Sequence, residues 1–488
     1  MRVLGLYCGH DSSATVVEDG RVVVAVEEER LTGEKKQNGI PARAIMYICK
    51  HLNCSPWDFD KVAIATPSLH WGRPHAFENT LMSLYPDAVL VPHHHAHAVL
   101  AYAWSGYDEC TVMTCDGGGD KSFATIYDAK DGKLTRLSEC LKEEDEAFGM
   151  LYYYVTEAVG FTPNLHEGKI MGLAARGQNK GFLDGLFRVE GNKIRATGGR
   201  TDYIVVKRLN ERCVDQLVID VAASCQSHFE DVMLKWVGDN YSRETNKLAV
   251  SGGCFANVLC NMKIAEMVKD FYVSPPMMDC GLSAGAALSL FDPIPVKKQE
   301  HMYFGFSQPP RFDNQFKPSE VAYMISKGKI IGLFQGRMEY GPRALGNRSI
   351  LADPRDAIVN KTLNARLKRK EYMPFAPVIL EEYADEILEN YRNGIDNAPF
   401  MTNCWKVREE WVNKIPAVVH IDGTARPQVI NRNTNEFYYD IVEEFRKLTG
   451  IPVLINTSFN IHESPIICWN TEADFAIFQR RIDILVEN

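Results

Sequence analysis

The sequence contains no Cys-x-x-Cys pair, although 13 of its 488 residues are cysteines. This absence argues against a zinc ribbon, and an odd number of cysteines, several of them inside apolar runs, favours reduced thiols over a disulfide framework. No apolar stretch approaches the roughly 18 residues needed to cross a bilayer. The first residues form a strand pattern without a basic region and cleavage site, so we expect a cytoplasmic protein.

Excess positive charge is also missing. The formal net charge is −9, which disfavours an extended nucleic-acid surface but leaves room for a local basic pocket. No Gly-x-x-x-x-Gly-Lys-Ser/Thr sequence occurs, and its absence disfavours a P-loop ATPase. At 488 residues, 45% of them hydrophobic, the chain is typical of a globular protein with two or more domains.

Strand and helix patterns alternate along the first part of the chain. Val3–Tyr7, Ala14–Val17 and Arg21–Glu27 predict three strands, with small polar residues at the first bend. A strand, a Gly/Asp-rich turn and another strand recur at Cys110–Tyr127. This echo favours an α/β fold with duplicated halves, as in the actin-like ATPases.

A change of composition marks a domain boundary. Residues 293–318 are rich in proline and charge, so we place the boundary near residue 300, with domains at 1–300 and 301–488. The second domain has patterns that predict a helix, a strand, a helix and a strand in turn: Glu382–Tyr391, Ala417–Ile421, Phe437–Leu448 and Ile451–Ile455.

The histidine run His93–His97 is the best metal candidate. His93 and His97 are four residues apart, so a helix places both imidazoles on one face, while the other two histidines of the run point elsewhere. Asp116, at the end of the next strand pattern, is a third donor for iron, manganese or zinc. A structural histidine run is an equally good interpretation. Asp279 is either a second carboxylate or a helix N-cap.

Two glycine-rich turns follow predicted strands and could hold an anion or a nucleotide with their backbone amides. One contains Gly117 and Gly118. The other contains Gly252 and Gly253, and Asn257 follows it. Paired glycines are also common in ordinary turns, so both interpretations stay open.

The segment Phe334–Arg348, which we call the arginine segment, has three arginines and three glycines in fifteen residues. It follows the apolar strand pattern Lys329–Leu333. Guanidinium groups present planar forks of donors, and glycines let a backbone approach closely, which suits phosphate or carboxylate ligands. The alternative is a solvated basic loop, but such loops are seldom so rich in glycine, proline and aromatics.

Ten motifs, in order along nearly the whole chain, resemble the NodU/CmcH family of O-carbamoyltransferases. The arginine segment and Asn456–Asn460 are the most specific of them. The other eight are His10-Asp-Ser-Ser-Ala14, Glu28-Glu-Arg30, the His93–His97 run, Glu167-Gly-Lys-Ile-Met-Gly-Leu173, Ser251-Gly-Gly253 with Asn257, Leu351-Ala-Asp-Pro-Arg355, Pro374-Phe-Ala-Pro377 and Asp422-Gly-Thr-Ala-Arg426.

The resemblance implies an N-terminal actin-like (ASKHA) domain with a divalent metal, Fe²⁺ first and Mn²⁺, Zn²⁺ or Mg²⁺ as alternatives. It implies a C-terminal YrdC-like α/β domain that makes carbamoyl adenylate from ATP and carbamoyl phosphate. The carbamoyl group then passes to a hydroxyl of an acceptor, which is a small molecule, a sugar or a hydroxymethylated nucleotide. A homodimer is compatible with the sequence, and no membrane partner is expected.

Carried over residue by residue, the resemblance assigns three sets of side chains. The metal set is His93, His97, Asp116 and Asp279. The nucleotide and carbamoyl phosphate set comprises Lys169, Arg337, Arg343, Arg348, Lys368, Arg426, Asn456 and Ser458. An alcohol needs a base to become nucleophilic, and His10, beside Asp11, is our candidate, with a structural turn residue as the alternative. Lys36 either joins that site or is a solvated lysine, and Arg343 has a catalytic role.

Three positions depart from the family pattern. Gln37 stands where relatives often have histidine, Met373 stands where they often have arginine, and Ile461–Pro465 lacks an expected glycine. Two enzyme alternatives are a tRNA threonylcarbamoyl-type transferase, which the acidic net charge disfavours, and a hydrogenase-maturation carbamoyltransferase, whose zinc-finger cysteine pairs are missing. A non-catalytic metal- or nucleotide-binding regulator of the same fold is a third alternative.

Overall fold

The computed structural model describes residues 1–66, 76–197, 207, 209–211, 213, 216–311, 316–369 and 375–488. Within these ranges the chain forms two five-stranded sheets, one six-stranded sheet and two short two-stranded ladders, with helices packed against the large sheets. The α/β fold predicted from the sequence is therefore confirmed. No helix in the described part is long and apolar enough to span a membrane.

The first sheet is built from the N-terminal strands, and the apolar runs of its central strands are buried on both faces. Its order is β3-β2-β1-β4-β5, with antiparallel pairs at β1–β2 and β2–β3 and parallel pairs at β1–β4 and β4–β5. The strands are β1 Arg2–Tyr7, β2 Ser13–Glu18, β3 Arg21–Glu27, β4 Lys61–Ala65 and β5 Val89–Val91.

The second sheet repeats this arrangement. Its order is β12-β11-β6-β7-β8, with antiparallel pairs β6–β7 and β7–β8 and parallel pairs β6–β11 and β11–β12. The two sheets thus share one strand order and one pattern of directions. The strands are β6 Glu109–Gly119, β7 Ser122–Lys130, β8 Lys133–Leu141, β11 Lys247–Ser251 and β12 Asp270–Val273, and a hairpin of β9 Phe187–Glu190 and β10 Lys193–Ala196 lies outside the sheet.

Two helices, α4 (His93–Ser105) and α9 (Leu282–Leu288), pack against each other between these sheets. Helix α9 also packs against β1, and α4 packs against β6. Gly285 permits the close crossing, because a side chain there would overlap the Ala96 carbonyl. The helices of this region are α1 Glu28–Thr32, α2 Ala42–Leu52, α3 Ala76–Leu84, α4 His93–Ser105, α5 Met150–Ala158, α6 Glu167–Ala174, α7 Val218–Asn240, α8 Val258–Met267 and α9 Leu282–Leu288, with 3-10 helices at Gly253–Ala256 and Asp279–Gly281.

The third sheet lies in the C-terminal part, in the order β18-β15-β19-β14-β13-β20. Its strands are β13 Ile331–Phe334, β14 Arg348–Ala352, β15 Ala376–Leu380, β18 Gln428–Ile430, β19 Val453–Ser458 and β20 Ile484–Glu487, and β16 Trp405–Lys406 pairs with β17 Thr424–Ala425. The helices are α10 Pro318–Ser326, α11 Ile358–Arg366, α12 Ala384–Ile387, α13 Glu409–Val412, α14 Glu436–Thr449 and α15 Asn470–Phe478, with 3-10 helices at Glu381–Tyr383, Ile395–Phe400 and Pro416–Val418.

Two predicted elements of the second domain differ from the structure. The predicted strand Ala417–Ile421 is wrong, because its first two residues lie in the 3-10 helix Pro416–Val418, where both are buried. The predicted helix Glu382–Tyr391 is reduced to α12 and the 3-10 turn before it. Short apolar runs are poor guides to element type when packing alone decides their backbone. The domain boundary near residue 300 stays a prediction.

Candidate active site

The side chains of His93, His97, Asp116 and Asp279 converge where α4 meets the end of β6, and we call them the His/Asp cluster. His93 Nε2 lies 3.0 Å from Asp116 Oδ2 and 3.7 Å from Asp279 Oδ1. His97 Nε2 lies 3.5 Å and 3.6 Å from the same two oxygens. All four residues are buried, and their ligand atoms lie within 4.8 Å of one another. The structure therefore brings the whole predicted metal set together.

Hydrogen bonds on the far sides of both imidazoles prepare them for a metal. His93 Nδ1 lies 3.3 Å from the Thr66 carbonyl, which can only accept, so Nδ1 carries a proton. His97 Nδ1 lies 3.0 Å from Ser251 Oγ, whose own proton goes to the Met277 carbonyl. The Nε2 atoms thus face the two carboxylates, where they can act as ligands, and His97 Nε2 is buried without a hydrogen-bond partner in the described part. The donor set fits a divalent transition metal.

The imidazoles and carboxylates of the cluster shift one another's pKa. Burial opposes ionisation of Asp116 and Asp279, but the surrounding imidazoles outweigh it and hold the pKa of both carboxyls well below the usual range. Burial likewise opposes protonation of His93, yet Asp279 and Asp116 raise its pKa to about 9. Metal binding therefore competes with a proton at this histidine.

His10 and Lys36 lie at the exposed side of the cluster. His10 Nε2 is 3.4 Å from Asp279 Oδ2 and Nδ1 is 3.1 Å from Asp11 Oδ2, while 53% of its side chain is exposed. Lys36 Nζ is 3.9 Å from the same Asp11 oxygen. Asp11 and Lys36 adopt left-handed backbone conformations, with φ of 64° and 55°. Such strain is concentrated at functional sites, and here it lies in the two loops that carry His10 and Lys36.

His94 is part of this region, which corrects the expectation that it points elsewhere. Its Nε2 lies 3.3 Å from Asp116 Oδ1 and its Nδ1 lies 2.7 Å from Thr114 Oγ1. The first turn of α4 lies so close to β6 that a residue beside the ligand face also reaches the carboxylate. His95 does point away, towards the ring of Tyr127.

Tyr7 and Asp120 are further site residues that the sequence did not single out. The Tyr7 hydroxyl donates to Asp279 Oδ2 at 2.6 Å. Asp120 Oδ2 accepts from the His93 backbone N–H at 2.8 Å and from Thr66 Oγ1 at 2.7 Å, which fixes the start of α4. Their positions, at the end of β1 and after the glycines that follow Asp116, were the only available signal.

The predicted glycine turns flank Asp116. The Gly118 amide donates to Asp116 Oδ1 at 2.5 Å, directly after Gly117. Gly252 has φ of 106° and packs on the Cys115 backbone, where a side chain would overlap the carbonyl, and Gly253 follows it at the start of a 3-10 helix. The structure thus places both turns beside the His/Asp cluster.

Asn257 and Lys169 face other partners. Asn257 Oδ1 accepts from the Cys260 amide at 3.0 Å as the N-cap of α8, and its Nδ2 donates to Gln226 Oε1 at 3.0 Å. Its amide is therefore used within the fold. Lys169 Nζ lies 3.7 Å from Glu463 Oε1, which also accepts from His166 Nε2 at 2.7 Å.

A second candidate site is a cavity of about 200 Å³ in the C-terminal part, which we call the arginine cavity. Arg343, Arg426 and Arg369 line it, together with Pro342, Ala344, Leu367, Phe375, Ala376, Met401, Asn456, Thr457, Ser458, Asn460 and His462. The Nε atoms of Arg343 and Arg426 are buried and have no hydrogen-bond partner among the described residues. Burial, and for Arg343 the neighbouring Arg426, lower the pKa of both guanidinium groups. An anion would relieve this uncompensated charge.

Amide and hydroxyl groups complete the arginine cavity. Asn456 Nδ2 donates to the Ala344 carbonyl at 3.1 Å and to Gln428 Oε1 at 2.8 Å, and its buried Oδ1 has no hydrogen-bond partner in the described part. Ser458 Oγ donates to Asn460 Oδ1 at 2.5 Å. These contacts leave the Asn456 carbonyl oxygen as the acceptor that a ligand can use.

Arg369, rather than the predicted neighbour Lys368, lines the arginine cavity. Its guanidinium lies 4.6 Å from the Phe375 ring centroid, and its Nη1 donates to Thr457 Oγ1 at 3.3 Å. Lys368 is exposed, has φ of 56° and does not line the cavity. Lys368 and Arg369 are adjacent basic residues, and the turn at Lys368 directs only the Arg369 side chain into the arginine cavity.

Arg337 and Arg348 do not line the arginine cavity either. Arg337 donates to the carbonyls of Val23 at 2.9 Å and Gly305 at 3.3 Å. Arg348 is fully buried, stacks 3.7 Å from the Phe334 ring centroid and donates to the Gln335 carbonyl at 2.6 Å. Both side chains therefore hold backbone carbonyls of the fold, and of the three arginines of the arginine segment only Arg343 reaches the cavity.

We expect Arg348→Met to destabilise the fold. Arg348 also donates to the Asn347 and Gly336 carbonyls, so its loss removes a charged donor from three backbone carbonyls, of which Asn347 keeps the Gln335 amide. The expected decrease in the free energy of unfolding is about 3 kcal/mol, measured by urea denaturation. Arg355→Met, which removes an exposed arginine paired with Asp353, is the control and should change stability little. Equal stability of the two variants would contradict the structural role.

Two of the three positions that depart from the family pattern lie among the described residues. The Gln37 carbonyl accepts from the Ser12 amide at 3.0 Å, and its side chain donates to the Asn38 carbonyl at 3.0 Å, so it holds the loop that carries Lys36. Met373 and the adjacent Pro374 lie outside the described residues. Glu463 occupies the turn that lacks glycine and has φ of 66°.

Sequence comparison identifies the family. Residues 2–72 and 78–288 match the carbamoyltransferase N-terminus, and residues 322–488 match the carbamoyltransferase C-terminus. The chain belongs to the carbamoyltransferase family. The resemblance to the NodU/CmcH enzymes is thus confirmed, and the protein is a carbamoyltransferase.

Similar proteins come from bacteria and archaea. Nodulation protein NolNO of Sinorhizobium fredii is 32% identical over 94% of this carbamoyltransferase and 75% of that protein. The uncharacterized protein MJ1051 of Methanocaldococcus jannaschii is 30% identical over 99% of this chain and 98% of its own length. A solved structure of full-length HypF in the phosphate- and nucleotide-bound form aligns with 14% identity, a TM-score of 0.39 and coverage of 59% of this chain and 54% of HypF.

Proposed function

We propose that this carbamoyltransferase makes carbamoyl adenylate from ATP and carbamoyl phosphate in the arginine cavity and transfers the carbamoyl group to an acceptor hydroxyl at the His/Asp cluster. The equal strand orders of the first two sheets support an actin-like duplicated N-terminal domain. The remaining sheet is then the YrdC-like domain. The observation that carries this proposal is a cavity lined by Arg343 and Arg426, whose Nε atoms are buried and have no hydrogen-bond partner among the described residues.

The arginine cavity is suited to two phosphorylated substrates at once. Carbamoyl phosphate and ATP repel each other, so adenylation needs fixed cations that neutralise both before an oxygen can attack phosphorus. Arg343, Arg369 and Arg426 supply three such charges. In the overall balance carbamoyl phosphate loses phosphate to water, and the resulting carbamate oxygen displaces pyrophosphate from the α-phosphorus of ATP.

The carbamoyl end has its own recognition group. A carbamoyl NH₂ donates hydrogen bonds, and Asn456 Oδ1 is a buried acceptor with no partner in the described part of the chain. Pairing an orphan acceptor with a substrate N–H favours an amide over an acetyl group, because the acetyl methyl leaves the acceptor unpaired. Asn456 therefore explains selection of carbamoyl phosphate over acetyl phosphate.

Transfer to the acceptor uses the groups beside the His/Asp cluster. His93, His97, Asp116 and Asp279 would hold a divalent metal, which would supply charge stabilisation to the adenylate phosphate. His10 is exposed on one side and held by Asp11 on the other, so it can take the proton of the attacking hydroxyl. Lys36, 3.9 Å from Asp11, holds positive charge at the same entrance.

The acceptor is a hydroxyl of a small molecule or sugar. Two observations favour this class over a transfer RNA: a net charge of −9 and relatives that include nodulation proteins. A hydroxymethylated nucleotide belongs to the same chemical class.

The first test is the adenylate-forming half-reaction. Purified protein incubated with labelled ATP is expected to release pyrophosphate only when carbamoyl phosphate is present, with acetyl phosphate as the matched control. Asn456→Asp should lower turnover by about 10- to 100-fold, because the new carboxylate lies close to the carbamoyl group and repels the anionic substrates. Absence of carbamoyl-phosphate-dependent turnover in the folded, metal-loaded protein would contradict the proposed function.

A further inference from the structure

A buried ion cluster lies at the end of β3 and the start of α1. Arg30 Nε donates to Glu27 Oε2 at 2.6 Å, and Arg30 Nη1 lies 2.9 Å from Glu29 Oε1. All three side chains belong to residues that are only 3–4% exposed. The Glu28-Glu-Arg30 motif, which the proposed reaction leaves without a role, thus includes two members of this cluster.

The ion cluster forms two hydrogen bonds with one residue of the arginine segment, Gly341. Arg30 Nη2 donates to the Gly341 carbonyl at 2.9 Å, and the Gly341 amide donates to Glu27 Oε1 at 3.1 Å. Both backbone groups of Gly341 are therefore fixed by side chains of the first sheet and α1. Gly341 has φ of 110°, a conformation that other residues rarely adopt, so the turn depends on these contacts as well as on glycine.

The residues on either side of Gly341 reach the two candidate sites. The Tyr340 hydroxyl donates to the Cys280 carbonyl, next to Asp279 of the His/Asp cluster. Arg343 lines the arginine cavity, and its Cα is at most about 11 Å from that of Tyr340, the span of three extended residues. A shift of the Gly341 turn would consequently be felt at both sites.

The same ion cluster holds the Lys36 loop. Glu29 Oε2 accepts from the Lys36 backbone N–H at 2.7 Å, and Glu29 Oε1 accepts from Lys35 Nζ at 3.1 Å. Three buried charges thus contact the loop beside His10 and the turn before Arg343. Their contacts converge on groups assigned to both half-reactions.

Stability alone is a weak explanation for these charges, because well-packed apolar residues commonly replace buried ion pairs without loss of stability. We propose that Arg30, held between Glu27 and Glu29, is a positioning residue that fixes the Gly341 turn and so aims Arg343 into the arginine cavity. The inference rests on the proposed function for its kinetic consequences, and its binding consequences can be measured separately.

The test compares the Glu27→Met/Arg30→Met double variant with the wild type. Inorganic pyrophosphate, titrated by calorimetry, probes the arginine cavity without any turnover. We expect its Kd to rise by about 10- to 100-fold, because misplacing a charged contact by about 1 Å has effects of that size. In the half-reaction, KM for carbamoyl phosphate should rise, and thermal unfolding is measured alongside to show that the variant is folded.

Two further variants make the result decisive. Arg30→Lys keeps the charge but cannot reach Glu27, Glu29 and the Gly341 carbonyl together, so it should show the same loss of pyrophosphate binding even if the double variant folds poorly. Glu230→Met/Lys263→Met removes an ion pair that belongs to neither the arginine cavity nor the His/Asp cluster and should leave the Kd unchanged. Unchanged pyrophosphate binding in folded Arg30 variants, or none in the wild type, overturns the positioning role. Pyrophosphate binding without turnover in the wild type contradicts only the proposed function.

Discussion

Arg343→Met is expected to abolish carbamoyl-phosphate-dependent release of pyrophosphate while making the protein more stable. Arg343 projects into the arginine cavity with its Nε atom buried, and none of the described carboxylates pairs with it. Its charge is unfavourable in the free protein and becomes favourable only beside an anion. Removing it should raise the free energy of unfolding by about 1–3 kcal/mol, as for other strained active-site groups. Turnover should fall by about 10³-fold, the lower range for an arginine that stabilises a phosphoryl transition state.

A rise in the free energy of unfolding together with a fall in turnover is the result that identifies Arg343 as a binding residue. Turnover is measured from pyrophosphate release and stability from urea denaturation of the same preparations. Arg355→Met, at an exposed and paired arginine, serves as the control and should change neither quantity much. A destabilised Arg343→Met protein that keeps its turnover would show that this guanidinium belongs to the fold rather than to the site.

His97→Ala is expected to remove the metal and stop carbamoyl transfer while sparing the adenylate-forming half-reaction. His97 Nε2 faces both carboxylates of the His/Asp cluster and has no other hydrogen-bond partner in the described part. Losing one of four ligands should reduce metal content from about one per chain to a trace and lower transfer by about 10³-fold. Elemental analysis measures the metal, and product formation with an accepted hydroxyl compound measures transfer.

The histidine run offers controls of graded severity. His95→Ala removes an imidazole that faces Tyr127, so metal content and transfer should match the wild type. His94→Ala removes a neighbour of Asp116 that is not one of the four ligands, so metal affinity should fall by about 10- to 100-fold. Equal metal content in the His95 and His97 variants would exclude this site.

Spacing and residue type pointed to His93, His97 and Asp116 because local geometry brings them together, while the resemblance to the family supplied Asp279 as the fourth member of the His/Asp cluster. Four-residue spacing puts His93 and His97 on one helix face whatever the surroundings, and Asp116 closes the adjacent strand. His94 was misjudged because helix periodicity describes directions around an axis, not the distance from the helix to the next strand. Tyr7 reaches Asp279 from 272 positions away, a contact that no local pattern encodes.

The arginine segment shows where such reasoning stops. Arg337, Arg343 and Arg348 are chemically identical and share one irregular stretch, so neither type nor periodicity separates them. Val23 and Phe304 engage Arg337, and Phe334 packs on Arg348, which leaves Arg343 for the cavity. Arg369 was missed for a related reason, since the turn at Lys368 decides which side chain of a basic pair points inward.

Glu463 illustrates how a departure from the family pattern can be maintained in evolution. A glycine there would relax the left-handed backbone, but it would have no carboxylate to contact His166 and Lys169. Glutamate strains the backbone but adds an ionic contact between the start of α6 and the loop that carries His462, whereas glycine does neither. A relative with glutamate gains this contact only if a histidine or lysine already stands at the start of α6. Position 463 and the start of α6 should therefore change together among relatives.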